Sequence, residues 1–298
     1  MIINSRSNER LVRAVKKMHK FVESPDLKRV REQQDNLGNV FVNRELTYED
    51  VLIENIPAEW ISVGEDKRKD YVILYCHGGG YNTGSFSYAR SVTNKLAENT
   101  LMDVLAFDYR LAPEFPYPCG LEDALVVWNY LEGLGYSGSN IIVIGDSAGG
   151  NLALSLTLKL KDMKKEMPKA MVLFSPWTDL TCEGVSHMER ADMDPILTEE
   201  YMAKAVDDYA KGEDLKNPFI SPLFGNFEGF PPVLIQVGDH EILLSDSEEL
   251  ASCMHAYGVD VKFELYEGMW HVFQMSSLRI AVEAMEHVTE YIKNLIEE

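Results

Sequence analysis

The chain has 298 residues, 46% of them hydrophobic, and a formal net charge of −20. That much apolar material supports one large core, and α/β chains of this length commonly fold as a single unit. The negative charge repels a phosphate backbone, so no nucleic-acid partner is expected.

The longest apolar runs, such as Tyr71 to Cys76, are strand-length. They fall far short of the ~20 residues that cross a bilayer, so membrane insertion is not expected. The N-terminus carries Arg6, Arg10, Arg13, Lys16 and Lys17 without the apolar centre of a secretory signal. Cys76, Cys119, Cys182 and Cys253 are widely spaced and form no CxxC, which suggests neither a metal site nor a disulfide framework. A cytoplasmic enzyme fits these features. Residues 1–31 hold nine Lys or Arg against three acids, a segment of +6 on a remainder of −26. A basic helical segment lying on an acidic body explains this more simply than an anchor for an anionic surface.

In chain order, Leu11, Val12, Val15, Met18 and Val22 recur at helical spacing and predict an amphipathic helix over 8–23. Val51 to Ile53, Ile61 to Val63 and Tyr71 to Cys76 read as strands. Helix and strand then alternate. A helix over 91–99 precedes a strand over 103–109, and a helix over 121–131 precedes Ile141 to Ile144. A helix over 151–165 precedes Ala170 to Phe174. Between 177 and 222 the alternation lapses into polar, helix-prone sequence, including 198–210. It resumes with a strand over 233–237, a helix over 245–257, a strand over 261–265 and a final helix over 277–296. The pattern predicts an α/β fold, a mainly parallel central sheet with helices on both faces. We expect a single domain over 1–298, with a core at about 41–176 and 223–298 and a helical cap from about 1–40 and 177–222.

Gly145-Asp146-Ser147-Ala148-Gly149 sits between a predicted strand and a predicted helix. In that context G-x-S-x-G reads as a nucleophile elbow, a strained turn that exposes the serine hydroxyl. His77-Gly78-Gly79-Gly80 directly follows another strand. Consecutive glycines let backbone N–H groups approach a ligand closely, as an oxyanion requires.

Together these motifs resemble those of the hormone-sensitive-lipase-like esterases, a family of α/β-hydrolases that includes bacterial acetyl and carboxylesterases. The resemblance continues through Asp108 to Glu114, Phe115 to Pro118, Ser175 to Leu180 and Tyr266 to Phe273. It implies an α/β-hydrolase fold, Ser147 as nucleophile and His271 as general base. It also implies an oxyanion hole built on Gly78, Gly79, Gly80 and Ala148, with the amides of Gly79, Gly80 and Ala148 donating and Gly78 shaping the loop. The residues read alone agree. A serine hydroxyl needs a base, and His271 lies after the last predicted strand, where the order Ser, acid, His places it.

The family generally writes Gly-x-x-Asp-x-Leu for its acid, whereas here the segment is Gly238-Asp239-His240-Glu241-Ile242-Leu243. That register puts Glu241 in the acid's position; Asp239 is the alternative and Asp246 a more distant one. Asp146 is expected to brace the elbow, and Arg110 and Glu114 to form an ion pair near the glycine loop. Tyr81, Phe86 and Tyr88 are candidates to line the acyl pocket.

The expected function is hydrolysis of short-chain, acetyl-like esters of small molecules, with no cofactor. The alternatives are an amidase or N-deacetylase on the same triad, or a non-catalytic small-molecule receptor on this scaffold. The last strand, over 261–265, offers an open edge through which a homodimer is expected.

Overall fold

The computed structural model describes residues 26–65 and 67–297. The helix expected over 8–23 lies outside the described residues.

Eight strands form one sheet: β1 (Thr47–Ile53), β2 (Ile56–Ser62), β3 (Arg68–Cys76), β4 (Met102–Phe107), β5 (Ile141–Asp146), β6 (Ala170–Phe174), β7 (Val233–Gly238) and β8 (Val261–Tyr266). Their order is β1-β2-β4-β3-β5-β6-β7-β8. β1 and β2 pair antiparallel and β2 joins β4 antiparallel, while every pairing from β4 to β8 is parallel. β5 lies inside the sheet with both faces covered, so Ile141-Ile142-Val143-Ile144 reads as an unbroken apolar run. Side chains still alternate. Ile141 and Val143 pack into one core with Val72, Leu74, Trp128 and Leu154. Ile142 and Ile144 pack into a second core with Ile73, Phe174, Leu234 and Val288 on the opposite face.

The helices are α1 (Leu27–Gly38), α2 (Phe86–Thr100), α3 (Cys119–Gly133), α4 (Ala148–Asp162), α5 (Val185–Glu189), α6 (Glu199–Ala210), α7 (Leu244–Ala256) and α8 (Arg279–Glu297). Strands and helices alternate as the sequence pattern requires. In α8, Ala281, Ala284, Met285, Val288 and Ile292 are buried, a stripe at helical spacing; Met285, Val288 and Ile292 cover the second core, and Ala281 and Ala284 pack with Met269, Trp270 and Phe273. Among the described residues, no helix is long and apolar enough to cross a membrane.

The 177–222 segment contributes α5 and α6. Thr198 caps α6 by accepting the Tyr201 N–H at 3.2 Å, and Glu199 and Glu200 occupy its first turn, where the helix dipole favours acids. α1 is tied to the loop before α2. Gln34 Oε1 accepts the Gly84 N–H at 2.9 Å, and Asp35 accepts the Ser85 hydroxyl at 2.5 Å. Arg31 donates to the Ala112 carbonyl at 2.8 Å and pairs with Glu114 at 2.8 Å. The carboxyl ends of the parallel strands and these two helical pieces enclose one cavity, the usual place for a ligand in an α/β sheet.

Candidate active site

Ser147 joins β5 to α4 with φ 54° and ψ −123°, outside the ordinary α and β regions. The strain is held by three backbone bonds. Its N–H donates to Phe174 O at 2.9 Å, and its carbonyl accepts from Asn151 N and Trp177 N, each at 3.1 Å. The flanking glycines are required by contact. A Cβ on Gly145 would lie 2.3 Å from Gly149 O, and one on Gly149 would lie 2.1 Å from Cys76 O.

The glycine loop after β3 meets the elbow through Asp146. Its Oδ1 accepts the Gly78 N–H at 2.9 Å and the Tyr75 hydroxyl at 2.7 Å. Asp146 therefore braces loop against elbow. The Gly78 N–H is committed to this bond, so Gly78 shapes the loop and does not donate into the cavity. Among the described residues, the N–H groups of Gly79 and Gly80 have no protein acceptor, and both residues line the cavity with Ser147. His77 is stacked on Tyr109 with ring centroids 4.2 Å apart. Burial pushes its pKa down to about 4, which keeps it neutral.

His271 lies in the loop after β8 and lines the same cavity. Its Nδ1 is 2.8 Å from Glu241 Oε2, which assigns the proton to Nδ1 and leaves Nε2 as the basic nitrogen. Glu241 is fully buried, and its Oε1 accepts from Gly238 N at 2.7 Å and Ser175 Oγ at 2.8 Å. Burial alone would lower the His271 pKa. Glu241, then the charges of Asp194 and Asp146, outweigh it and raise the pKa above the ordinary imidazole value.

The two alternative acids are engaged elsewhere. Asp239 accepts the Gly268 N–H at 2.6 Å and so holds the loop that carries His271. Asp246 faces His187 Nε2 at 3.0 Å and accepts from Thr178 N and Asp179 N at 2.8 and 2.9 Å. Ser175, a residue the sequence reading left without a role, bridges the two halves. Its hydroxyl donates to Glu241 and accepts the Val272 N–H at 3.2 Å. The one available signal was its place at the head of Ser175-Pro176-Trp177, directly after β6.

The cavity holds about 610 Å³. Of the three aromatic candidates, Tyr88 lines it and the other two do not. Tyr81 has φ 62° and turns inward, donating to Asn151 Oδ1 at 2.7 Å and stacking on Tyr209 at 3.7 Å. Phe86, two helical positions before Tyr88, points to the opposite side of α2 and packs against the second core. Much of the wall comes instead from Val30 of α1, Ile196, Leu197 and Tyr201 around α6, and Trp270. The expected Arg110–Glu114 pair also does not form. The first turns of α3 present Glu122 and Asp123 to Arg110, and Arg31 takes Glu114.

Known proteins resemble this chain over most of its length. The pattern of the α/β-hydrolase fold family matches residues 73–275. An esterase of Acinetobacter venetianus is 37% identical over 228 residues, covering 75% of each chain. An acetyl-hydrolase of Streptomyces hygroscopicus is 35% identical, covering 75% of this chain and 74% of its own. The crystal structure of an esterase from the bacterial hormone-sensitive lipase family superposes with a TM-score of 0.92 at 32% identity, covering 99% of this chain and 100% of that one. The strained serine elbow, the glycine loop and these likenesses agree: the chain belongs to the α/β-hydrolase fold family and stands among hormone-sensitive-lipase-type esterases.

Proposed function

We propose that this chain is a serine carboxylesterase that hydrolyses short-chain acyl esters through an acyl-enzyme. One observation carries the reading: His271, held by Glu241 at 2.8 Å, faces the cavity into which the strained Ser147 also opens. Relatives named as esterase and acetyl-hydrolase support the same class of reaction.

In this mechanism the Ser147 hydroxyl attacks the ester carbonyl while its proton passes to His271 Nε2. Glu241 keeps Nδ1–H in place and stabilises the imidazolium. The N–H groups of Gly79, Gly80 and Ala148 receive the oxyanion of the tetrahedral intermediate. His271 then protonates the departing alcohol, and water deprotonated by His271 releases the acid. No step needs a cofactor. A cavity of about 610 Å³, closed by α1 and the 177–222 segment acting as a cap, suits small esters.

Hydrolysis of p-nitrophenyl acetate, butyrate and octanoate by wild type and Ser147→Ala tests the reading. Turnover that falls with chain length and vanishes in the variant is expected. Turnover of p-nitroacetanilide alone would favour an amidase, and ligand binding without any turnover would favour a receptor. We also propose self-association through β8, which lies at the sheet edge with Leu265 exposed. Light scattering would then give twice the monomer mass for wild type and a smaller particle for Leu265→Lys.

A further inference from the structure

We propose that Asp194 is a positioning residue for the reaction, a second carboxylate that acts on His271 from the 177–222 segment. The proposal rests on the Ser147–His271–Glu241 reading above.

Asp194 is 2% exposed and makes no ion pair with Lys or Arg among the described residues. Its Oδ1 accepts the N–H groups of Ile196 at 2.8 Å and Leu197 at 2.9 Å. Its Oδ2 accepts the N–H of Ile242 at 3.0 Å. Ile196 and Leu197 are cavity wall, and Ile242 directly follows Glu241. One carboxylate therefore ties the surface that would touch substrate to the segment that carries the acid.

The charge is compensated in part by those three N–H groups, and His271 is the neighbour that can become cationic. A buried carboxylate without a cation is costly unless something compensates it. Asp194 and Glu241 both bear on the His271 imidazole, and Asp146 bears on it from the elbow. Burial raises the Asp194 pKa to about 6, the imidazole and the Leu197 and Ile242 N–H groups opposing and Glu241 adding to the rise. His271 is cationic only after it has taken the Ser147 proton. Asp194 thus favours the charge distribution of the tetrahedral intermediate over that of the resting enzyme, which is what accelerates a reaction.

The sign of the effect follows. Removing the Asp194 charge makes imidazolium less favourable, so the His271 pKa falls and the acid limb of kcat/KM moves to lower pH. The experiment compares full-length wild type, Asp194→Asn, Asp194→Ser and Ser147→Ala on p-nitrophenyl butyrate from pH 4.5 to 9. Circular dichroism and Tm check folding. The serine variant is smaller and lacks the amide N–H₂ that would face the Ile242 N–H.

For both Asp194 variants, kcat should fall about tenfold with KM changed less than about threefold. The acid limb should move down by roughly half a pH unit or more. A lowered kcat with the wild-type limb would mean that Asp194 only supports the fold, and would overturn the proposal. Wild-type kinetics in both variants, or failure of both to fold, would overturn it equally. Activity in Ser147→Ala would instead defeat the underlying nucleophile reading, so the two failures are distinguishable.

Discussion

Two buried histidine–carboxylate pairs lie on either side of the start of α7, and His271 of the first lines the cavity that Ser147 also lines. His271 and Glu241 are 2.8 Å apart, and His187 and Asp246 are 3.0 Å apart. Both histidines are 7% exposed and both have raised pKa values. Yet Asp246 spends its second oxygen on Thr178 N and Asp179 N, and among the described residues His187 is not part of the wall shared by Ser147 and the glycine loop. A charged pair alone is a brace. In the proposed mechanism it becomes catalytic machinery where a nucleophile and free N–H donors share its cavity.

The comparison breaks most directly at the serine. Ser147→Ala should lower kcat on p-nitrophenyl butyrate on the order of 10⁴-fold or more, leaving only what the donors and binding supply. A fall of tenfold would disqualify Ser147 as nucleophile. Next come the competing carboxylates. Glu241→Gln should cost on the order of 10³–10⁴-fold in kcat, since it removes the charge that holds the Nδ1–H tautomer. Asp239→Asn, which alters a bond to the His271 loop and a contact with His240, should stay within about threefold. Steady-state kinetics in which Asp239→Asn is the more damaged variant would reverse the assignment.

The pH dependence sharpens the contrast in opposite senses. In the proposed mechanism His271 must be neutral to accept the serine proton; burial lowers its pKa, and Glu241, Asp194 and Asp146 outweigh that and raise it. Wild-type kcat/KM should therefore fall as pH drops through a value above the ordinary ~6.5 of imidazole, and a midpoint well below that would contradict the geometry. His187 offers stability instead. Burial opposes its charge, but Asp246 and Cys182 prevail and push its pKa up to about 10. A pKa raised on folding contributes stability that is full below the unfolded value near ~6.5 and fades as pH rises through the folded one. The Tm difference between wild type and His187→Gln should be largest near pH 6, shrink towards pH 10 and leave kcat within about twofold. Calorimetry showing a difference that grows with pH would refute it.

The legible parts of this molecule are local ones. The strand–turn–helix at Ser147 and the glycines after β3 are contiguous motifs, and Gly145 and Gly79 are required by contacts four residues away, with Gly149 O and Thr83 O. His271 was reachable from chain order and Glu241 from its register after β7. Ser175 and Asp194 were not, since the bonds that tie them to Glu241, Ile242 and Val272 span 48 to 97 residues along the chain. The aromatic lining was misread at two of three positions, because whether Tyr81 faces cavity or core depends on a left-handed φ that no spacing rule supplies. The Arg110–Glu114 expectation failed for a similar reason: sequence neighbours lost to partners brought close by α1 and α3.

By itself the sequence determined the alternation of strands and helices, the serine elbow and the glycine loop, because those depend on residue periodicity and short-range sterics. The register favoured Glu241 and left Asp239 open; the tertiary structure set Glu241 against the imidazole and decided which carboxylate pairs with His187. It also decided which side chains wall the cavity. Those choices are made among chemically similar groups, and only the packing of distant elements sets the few ångströms that separate a hydrogen bond from none.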